Sequence, residues 1–400
     1  MQILSKIKPF KFFIIILITS GILSNILRIK NLEKDLHGIT DFKTIYVSTI
    51  LWKLVKNPFT KQNVIDQWKE ICKNENMPFE IDYIMKVGPQ YPPNTFVFIY
   101  PLTFLSFKLA AIILFSLLLV SIIGIAILTN KIFPQIPILL IATSLGAFKG
   151  MDVYLNGQPL FLSLFAGLLA IYFSEKNKPI LVAIFLILCS IKITIVLPFL
   201  AYIFIKNNYK LDFKIWIIGS LWLMFNVSLF GDLTFLHEFT KSVNIWQTYI
   251  YDLTLEEKMI SLTLDFKAIL TVFNIYHPIL KWSILVVIAY LILKNKSIRE
   301  DKLLLFMAIY TFFCFVTYHG YYDIFPVVPL VVYLVWKNHS FDIELILFCI
   351  CALIPINGIV KLLHYQVPLI LEINMTICTF LILIWLIRKF NKPLNQIKSL

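Results

Sequence analysis

Residues 109–129 read LAAIILFSLLLVSIIGIAILT, a stretch with no charged side chain. At about 1.5 Å of rise per residue, a helix this long reaches ~30 Å, the depth of bilayer hydrocarbon. Similar apolar runs recur at 9–27, 179–205, 213–230, 278–293, 303–318, 343–360 and 370–387. Of the 400 residues, 59% are hydrophobic and 15% are charged, and mean hydropathy is +0.82. Soluble domains carry about a quarter charged residues, so a soluble globular enzyme is excluded. Disorder, collagen and coiled coil are excluded as well, since they need polar, glycine-periodic or charged sequences. The expected class is all-α, a polytopic transmembrane helical bundle of about 12 spans, forming a single integral membrane domain over 1–400.

Net charge is +13, but the basic residues cluster between apolar runs: Lys206, Lys210 and Lys214; Lys294, Lys296, Arg299 and Lys302; Lys337; then Arg388, Lys389, Lys392 and Lys398. This is the positive-inside pattern of a membrane protein, so the expected partners are membrane lipids and not nucleic acid. Cys189, Cys314, Cys349, Cys351 and Cys378 lie in apolar runs as small hydrophobes, and Cys72 stands alone in a polar loop. No disulfide framework or zinc spacing follows from them. Lys6, Lys8 and Lys11 precede the first run and no small-x-small cleavage site follows it. That reads as an uncleaved first helix with a cytoplasmic N-terminus.

On this alternation residues 28–93 form an external loop with interfacial helices. Thr40 or Asp41 is the expected N-cap of a surface helix over 42–56, ended by Asn57-Pro58. A second external loop spans 231–266. There Phe235, Phe239, Val243, Trp246 and Ile250 repeat at helical spacing, opposite polar His237, Glu238, Lys241, Asn244 and Gln247, which predicts an amphipathic interfacial helix. The middle of the chain admits two readings. In one, 94–107, 109–129, 136–149, 158–174 and 179–205 each cross once. In the other, 94–107 is re-entrant and 179–205 breaks near Ser190–Lys192, which puts Lys131, Lys176 and Lys178 inside and Lys192 outside.

Ionisable residues within hydrocarbon are costly and therefore functional suspects. Lys192 lies in the middle of an apolar run, as either a snorkelling lysine or a cation for a phosphate. Thr317-Tyr-His319-Gly-Tyr-Tyr-Asp323 joins two runs at the outer surface, as either an aromatic turn or a sugar or phosphate site. Tyr91-Pro92-Pro93-Asn94 stiffens the chain where it re-enters the membrane. Asn156-Gly157-Gln158-Pro159 opens a span, and Gly157 permits close backbone approach. Asp41 is either a plain N-cap or a general base just above the membrane.

The order of these features resembles the GT-C glycosyltransferases, most closely glycosyltransferase family 87, the polyprenol-phosphate-mannose-dependent α-1,2-mannosyltransferase-like proteins. The resemblance rests on Asp41-Phe42 with Tyr46, Lys56-Asn57-Pro58-Phe59, Tyr91-Pro92-Pro93 with Tyr100-Pro101-Leu102, Gly157-Gln158, the Lys192 segment, and His319 with Tyr322-Asp323. It departs from the family where Lys56 replaces glycine, Phe59 replaces tyrosine and Ile193 follows Lys192 in place of proline. The resemblance implies an inverting transfer of a hexosyl or mannosyl unit on the outer face of the cytoplasmic membrane. The donor would be a polyprenyl-phosphate-linked sugar and the acceptor a lipid or glycan. Asp41 would be the catalytic base. Lys192 and His319 would hold the leaving phosphate, with Asp323 orienting His319, and Gln158 and Tyr91 would bind substrate. No cofactor is expected. With no Asp-x-Asp in the external loops, no metal is expected either. Two alternatives remain on sequence alone: a lipid or small-molecule transporter or flippase, and a GT-C-like oligosaccharide ligase or polymerase.

Overall fold

The computed structural model describes residues 9–32, 39–80, 90–252, 263–317, 319–337, 342–354, 356 and 373–390. Parts of the expected loops at 33–38, 81–89 (with Asp82) and 253–262 lie outside the described residues. So do Tyr318, the outer ends of the 343–360 and 370–387 runs, Lys392 and Lys398.

The described chain is helical, and its only β-type pairing is an isolated antiparallel bridge between Thr263 and Gly320. The first half contains α1 (Pro9–Leu32), α2 (Thr40–Lys53), α3 (Lys61–Asn74), α4 (Pro93–Ile99), α5 (Phe107–Ile132), α6 (Ile138–Ala147), α7 (Asp152–Leu155), α8 (Leu160–Glu175), α9 (Pro179–Cys189) and α10 (Ile193–Lys206). The second half contains α11 (Phe213–Leu229), α12 (Leu233–Tyr251), α13 (Phe266–Val272), α14 (Pro278–Lys294), α15 (Lys296–Glu300), α16 (Lys302–Val316), α17 (Val328–Lys337), α18 (Ile343–Leu353) and α19 (Asn374–Phe390). Helices α5, α8, α9 and α11 pack side by side, and α10 joins α8 to α16. On the other flank α1 packs on α6, α17 and α18. A Cβ on Gly21 would lie 2.4 Å from the Ala147 carbonyl oxygen and 2.8 Å from that of Leu353, so only glycine lets α1, α6 and α18 approach this closely.

Long apolar runs become short helices. Among the described residues only α5 is long and apolar enough to cross a bilayer alone, with up to three such spans if each bent pair counts as one. The expected count of about twelve spans is therefore not reached by this measure. The bends account for part of the difference: α6 meets the segment Lys149–Leu155 at 69°, and α11 meets α12 at 94°. At the second bend Gly231 sits at φ +74°.

In the middle of the chain the helix break of the second reading is present. Residues 94–107 supply only α4 and a 3-10 turn, Tyr100–Phe104, and the 179–205 run breaks at Ser190–Lys192. Helices α8 and α10 run the same way and α9 returns between them. Ser163 near the start of α8 bonds the Cys189 carbonyl at the end of α9. At the far end Asn207 bonds Ser174 at 3.2 Å, and Lys302 ion-pairs with Glu175. Lys176 thus shares an end with the Lys302 cluster, and Lys192 lies at the opposite end.

Breaking a helix between Cys189 and Ile193 frees carbonyls that water cannot reach, and buried polar groups need partners. Side chains from α4 supply them: Asn94 Nδ2 donates to the Ser190 carbonyl, and Thr95 Oγ1 donates to the Ile191 carbonyl at 2.8 Å. Thr95 is fully buried. Thr95→Val keeps its shape but leaves that carbonyl unpaired, at a cost of about 1–3 kcal/mol. Thermal unfolding in a fixed detergent should show a lower midpoint for Thr95→Val; an unchanged midpoint would mean the turn is held by other contacts.

Candidate functional site

Helix α2 is expected to lie on the membrane surface, capped by Thr40 or Asp41. Instead it is buried from Asp41 to Thr49, packed against α3, α4 and the Tyr100–Phe104 turn. The N-cap position is Ile39, with no side-chain cap. The reason is a backbone contact: the Asn156 carbonyl accepts the Asp41 and Phe42 amides at 3.1 and 3.2 Å. Those orphan helix donors are thereby satisfied, and the Asp41 carboxylate is left to turn elsewhere. Gly157 makes this docking possible. Its φ is +67°, and a Cβ there would lie 2.7 Å from the Phe42 Cβ.

The Asp41 carboxylate accepts the Tyr91 hydroxyl on Oδ1 at 2.9 Å and the Gln158 amide on Oδ2 at 3.4 Å. The same amide nitrogen donates to the Tyr322 hydroxyl at 3.0 Å. Lys192 Nζ donates to Gln158 Oε1 at 3.3 Å and to Asp323 Oδ1 at 2.6 Å, and lies 4.8 Å from the centre of the Tyr322 ring. Asp323 Oδ2 meets His319 Nδ1 at 3.0 Å and accepts the Gly320 amide at 3.2 Å. His319 Nε2 meets Thr317 Oγ1 at 2.9 Å. Tyr91, Asp41, Gln158, Lys192, Asp323 and His319, all six candidates from the sequence, therefore form one connected network from five separate segments.

Their roles within it differ. A cavity of about 410 Å³ is lined by Asp41, Tyr91, Asn156, Gln158, Lys192 and Tyr322, with Phe239, Val243, Trp246 and Gln247 of α12 as the facing wall. Asp323 and His319 do not line it, and both are fully buried. With both ring nitrogens occupied, His319 is not placed to contact a bound phosphate. Its contact with Asp323 is the expected one, but it serves to hold that carboxylate against Lys192. A larger groove of about 580 Å³ runs along the polar face of α12, with His237 and Lys241 among its lining residues. Among the described residues that line it there is no carboxylate.

The α12 wall was not anticipated as part of the site. Its signal was present, since the apolar face carrying Phe239, Val243 and Trp246 is the face that meets the cavity. An aromatic cluster fixes it there: Phe239 packs on Phe59 at 5.1 Å and on Phe230 at 5.6 Å.

Burial dominates the electrostatics of Asp41. It pushes the carboxyl up from 3.8 to about 6, against the opposing pull of the Tyr91 hydrogen bond, the Lys192 charge and the Gln158 hydrogen bond. Asp323 is just as buried, which alone would raise it, but Lys192 and His319 outweigh burial and hold it below its ordinary value. Burial, then the Asp41 charge, keeps the Tyr91 phenol far above the usual tyrosine range. The site thus separates a fully ionised aspartate paired to a lysine from a second aspartate poised near neutrality, a division common where one group must take a proton.

No family model matches the chain, and no curated protein or solved structure matches it.

A raised carboxyl pKa in the folded state penalises the ionised form. Below about pH 4 Asp41 is protonated both folded and unfolded; between about pH 4 and 6 only the unfolded chain ionises, so stability falls as pH rises. The loss is complete above about pH 6 and amounts to roughly 1–3 kcal/mol. Asp41→Asn lacks this slope and keeps the Tyr91 bond. Unfolding midpoints across pH 4–8 should show the variant at least as stable as wild type above pH 6. A variant clearly less stable at pH 7.5 would make Asp41 a structural partner of Lys192.

Proposed function

We propose that this chain is an inverting glycosyltransferase of GT-C type. It moves a hexosyl unit, mannose by resemblance, from a polyprenyl-phosphate-linked donor to a hydroxyl of a lipid- or glycan-linked acceptor. The observation that carries this reading is the single network joining a near-neutral carboxylate, Asp41, to a cation, Lys192, across one partly apolar cavity.

In this reading Asp41 takes the proton of the acceptor hydroxyl as its oxygen attacks the anomeric carbon. The new carbon–oxygen bond forms as the bond from that carbon to the donor phosphate oxygen breaks. The phosphate leaves as an anion that Lys192 stabilises, so the leaving group needs little acid assistance. A base near pKa 6 is ionised at neutral pH yet retains affinity for a proton. The Gln158 amide bridges base and cation and sets their spacing. Among the described lining residues Lys192 is the one cation, and it is already shared with Asp323. That charge balance suits a phosphodiester with one negative charge better than a diphosphate.

Membrane embedding supports the same reading. The flanks of the bundle are apolar: on α11, Phe213, Leu221, Leu223, Met224 and Val227 are all well exposed. An apolar surface of this extent calls for lipid or another partner. With the basic clusters inside, the cavity opens at the outer face, where a bilayer-anchored donor arrives laterally. We take the short helices with α5 as a bundle of about 12 crossings in the cytoplasmic membrane. A transporter reading would place its charged groups at mid-depth, whereas Lys192, Asp41 and Asp323 lie at helix tips on one side.

Purified protein in lipid, given a polyprenyl-phosphate-sugar and an acceptor extract, should release free polyprenyl phosphate. Lys192→Ala should weaken donor use at limiting donor by roughly ten-fold or more, the scale of a lost charge-assisted hydrogen bond. Full turnover by Lys192→Ala would place the phosphate elsewhere. Movement of intact donor across the bilayer without release would favour the transporter.

A further inference from the structure

The other end of α10 carries a second cationic cavity. Lys192 precedes the first residue of α10 and Lys206 is its last. The two are therefore about 20 Å apart along the helix axis. A cavity of about 340 Å³ lies there, lined by Ile205, Lys206, Asn208, Tyr209, Lys296, Arg299 and Glu300. Its cations come from two elements, the C-terminal end of α10 and the short helix α15. Helix α15 is anchored by Ile298, which is fully buried.

The charges around it are unequally compensated. Lys296 pairs with Glu300 at 3.5 Å, and Lys302 pairs with Glu175. Asp301 caps the start of α16 through the Leu303 and Leu304 amides. Among the described residues Lys206 and Arg299 find no ion pair or side-chain hydrogen bond, and Arg299 Nε is buried without a partner there. A buried guanidinium nitrogen left unpaired is costly, and its forked donors match the oxygens of a phosphate. This is also a rare residue here, since the chain has three arginines, at 28, 299 and 388. Arg388 is occupied by Glu344 at 2.7 Å.

We propose that this cavity binds one phosphate-bearing anionic headgroup through Arg299 and Lys206. The observations favour a lipid as its source. Exposed Ile279, Trp282, Val286, Tyr290 and Leu293 form a stripe along α14 that runs toward the cavity and ends beside Lys294. An acyl chain can lie along that stripe while its headgroup reaches the two cations, as basic pockets between membrane helices do on the cytoplasmic side. The proposal shares the membrane reading above but not the glycosyl-transfer reading, because its site is at the opposite end of the bundle.

The test is lipid retention, with no activity assay. Delipidated protein in neutral detergent is offered phosphatidylglycerol or phosphatidylcholine, and bound lipid is counted by native mass spectrometry. Wild type should retain phosphatidylglycerol preferentially. Lys206→Gln and Arg299→Gln should each weaken that retention about five-fold, and the pair together about twenty-five-fold. A Lys61→Gln/Lys69→Gln control loses the same charge from exposed positions on α3 and should retain the lipid as wild type does. If the two lipids bind equally but millimolar inorganic phosphate raises the unfolding midpoint of wild type and not of Lys206→Gln/Arg299→Gln, the phosphate site stands with a soluble ligand. Equal lipid binding with no phosphate effect overturns the proposal. So does wild-type selectivity in the double variant.

Discussion

A carboxylate and an ammonium held inside an apolar bundle must each be compensated, and the Gln158 side chain is where the two compensations meet. Its amide nitrogen serves Asp41 and Tyr322, while its oxygen serves Lys192. Uncompensated burial of either charge would cost several kcal/mol. Lys192 is neutralised by Asp323, which His319 and the Gly320 amide hold in place. Asp41 feels Lys192 only across Gln158, and burial outweighs that pull and lifts its carboxyl to about 6. The asymmetry between the two aspartates follows from who stands next to Lys192.

The fold exists to bring these tips together. Helix α2 docks on the Asn156 carbonyl, α8 begins just after Gln158, the α9–α10 turn presents Lys192, and the turn before α17 presents Asp323. Each contributor is a helix end or a tight turn, where the regular hydrogen-bond pattern stops and polar groups become available. Two of the bundle's polar sites lie at opposite ends of α10, the network at one and the Lys206–Arg299 cavity at the other.

Much of this was legible in the sequence because membrane chains punish polar residues. Lys192 stands out against apolar neighbours, Gln158 sits in the turn that opens an apolar span, and His319 and Asp323 sit between two apolar runs. Gly157 announced a close backbone approach, and Phe42 is what it approaches. Other features needed three dimensions. Hydropathy alone assigns α2 to the surface; tertiary packing buries it instead, and Lys43 lies over the Trp68 ring at 4.9 Å. The resemblance implies a phosphate-holding His319, yet contact with Thr317 and Asp323 uses both its nitrogens. Apolar run length does not show where a helix stops: Asn94 and Thr95, distant in sequence, stabilise the break at Ser190–Lys192.

The proposed transfer makes Asp41 a base and not a structural acid. The most direct measurement is the pH dependence of polyprenyl phosphate release by wild type and Asp41→Asn in lipid, each with donor binding measured in parallel. If Asp41 is the base, wild-type kcat/KM rises with pH and levels off above about pH 6, following ionisation of Asp41. Asp41→Asn then binds donor normally but turns over about 10²–10⁴-fold more slowly. Turnover by Asp41→Asn within about threefold of wild type, less than ~1 kcal/mol of barrier, would contradict it.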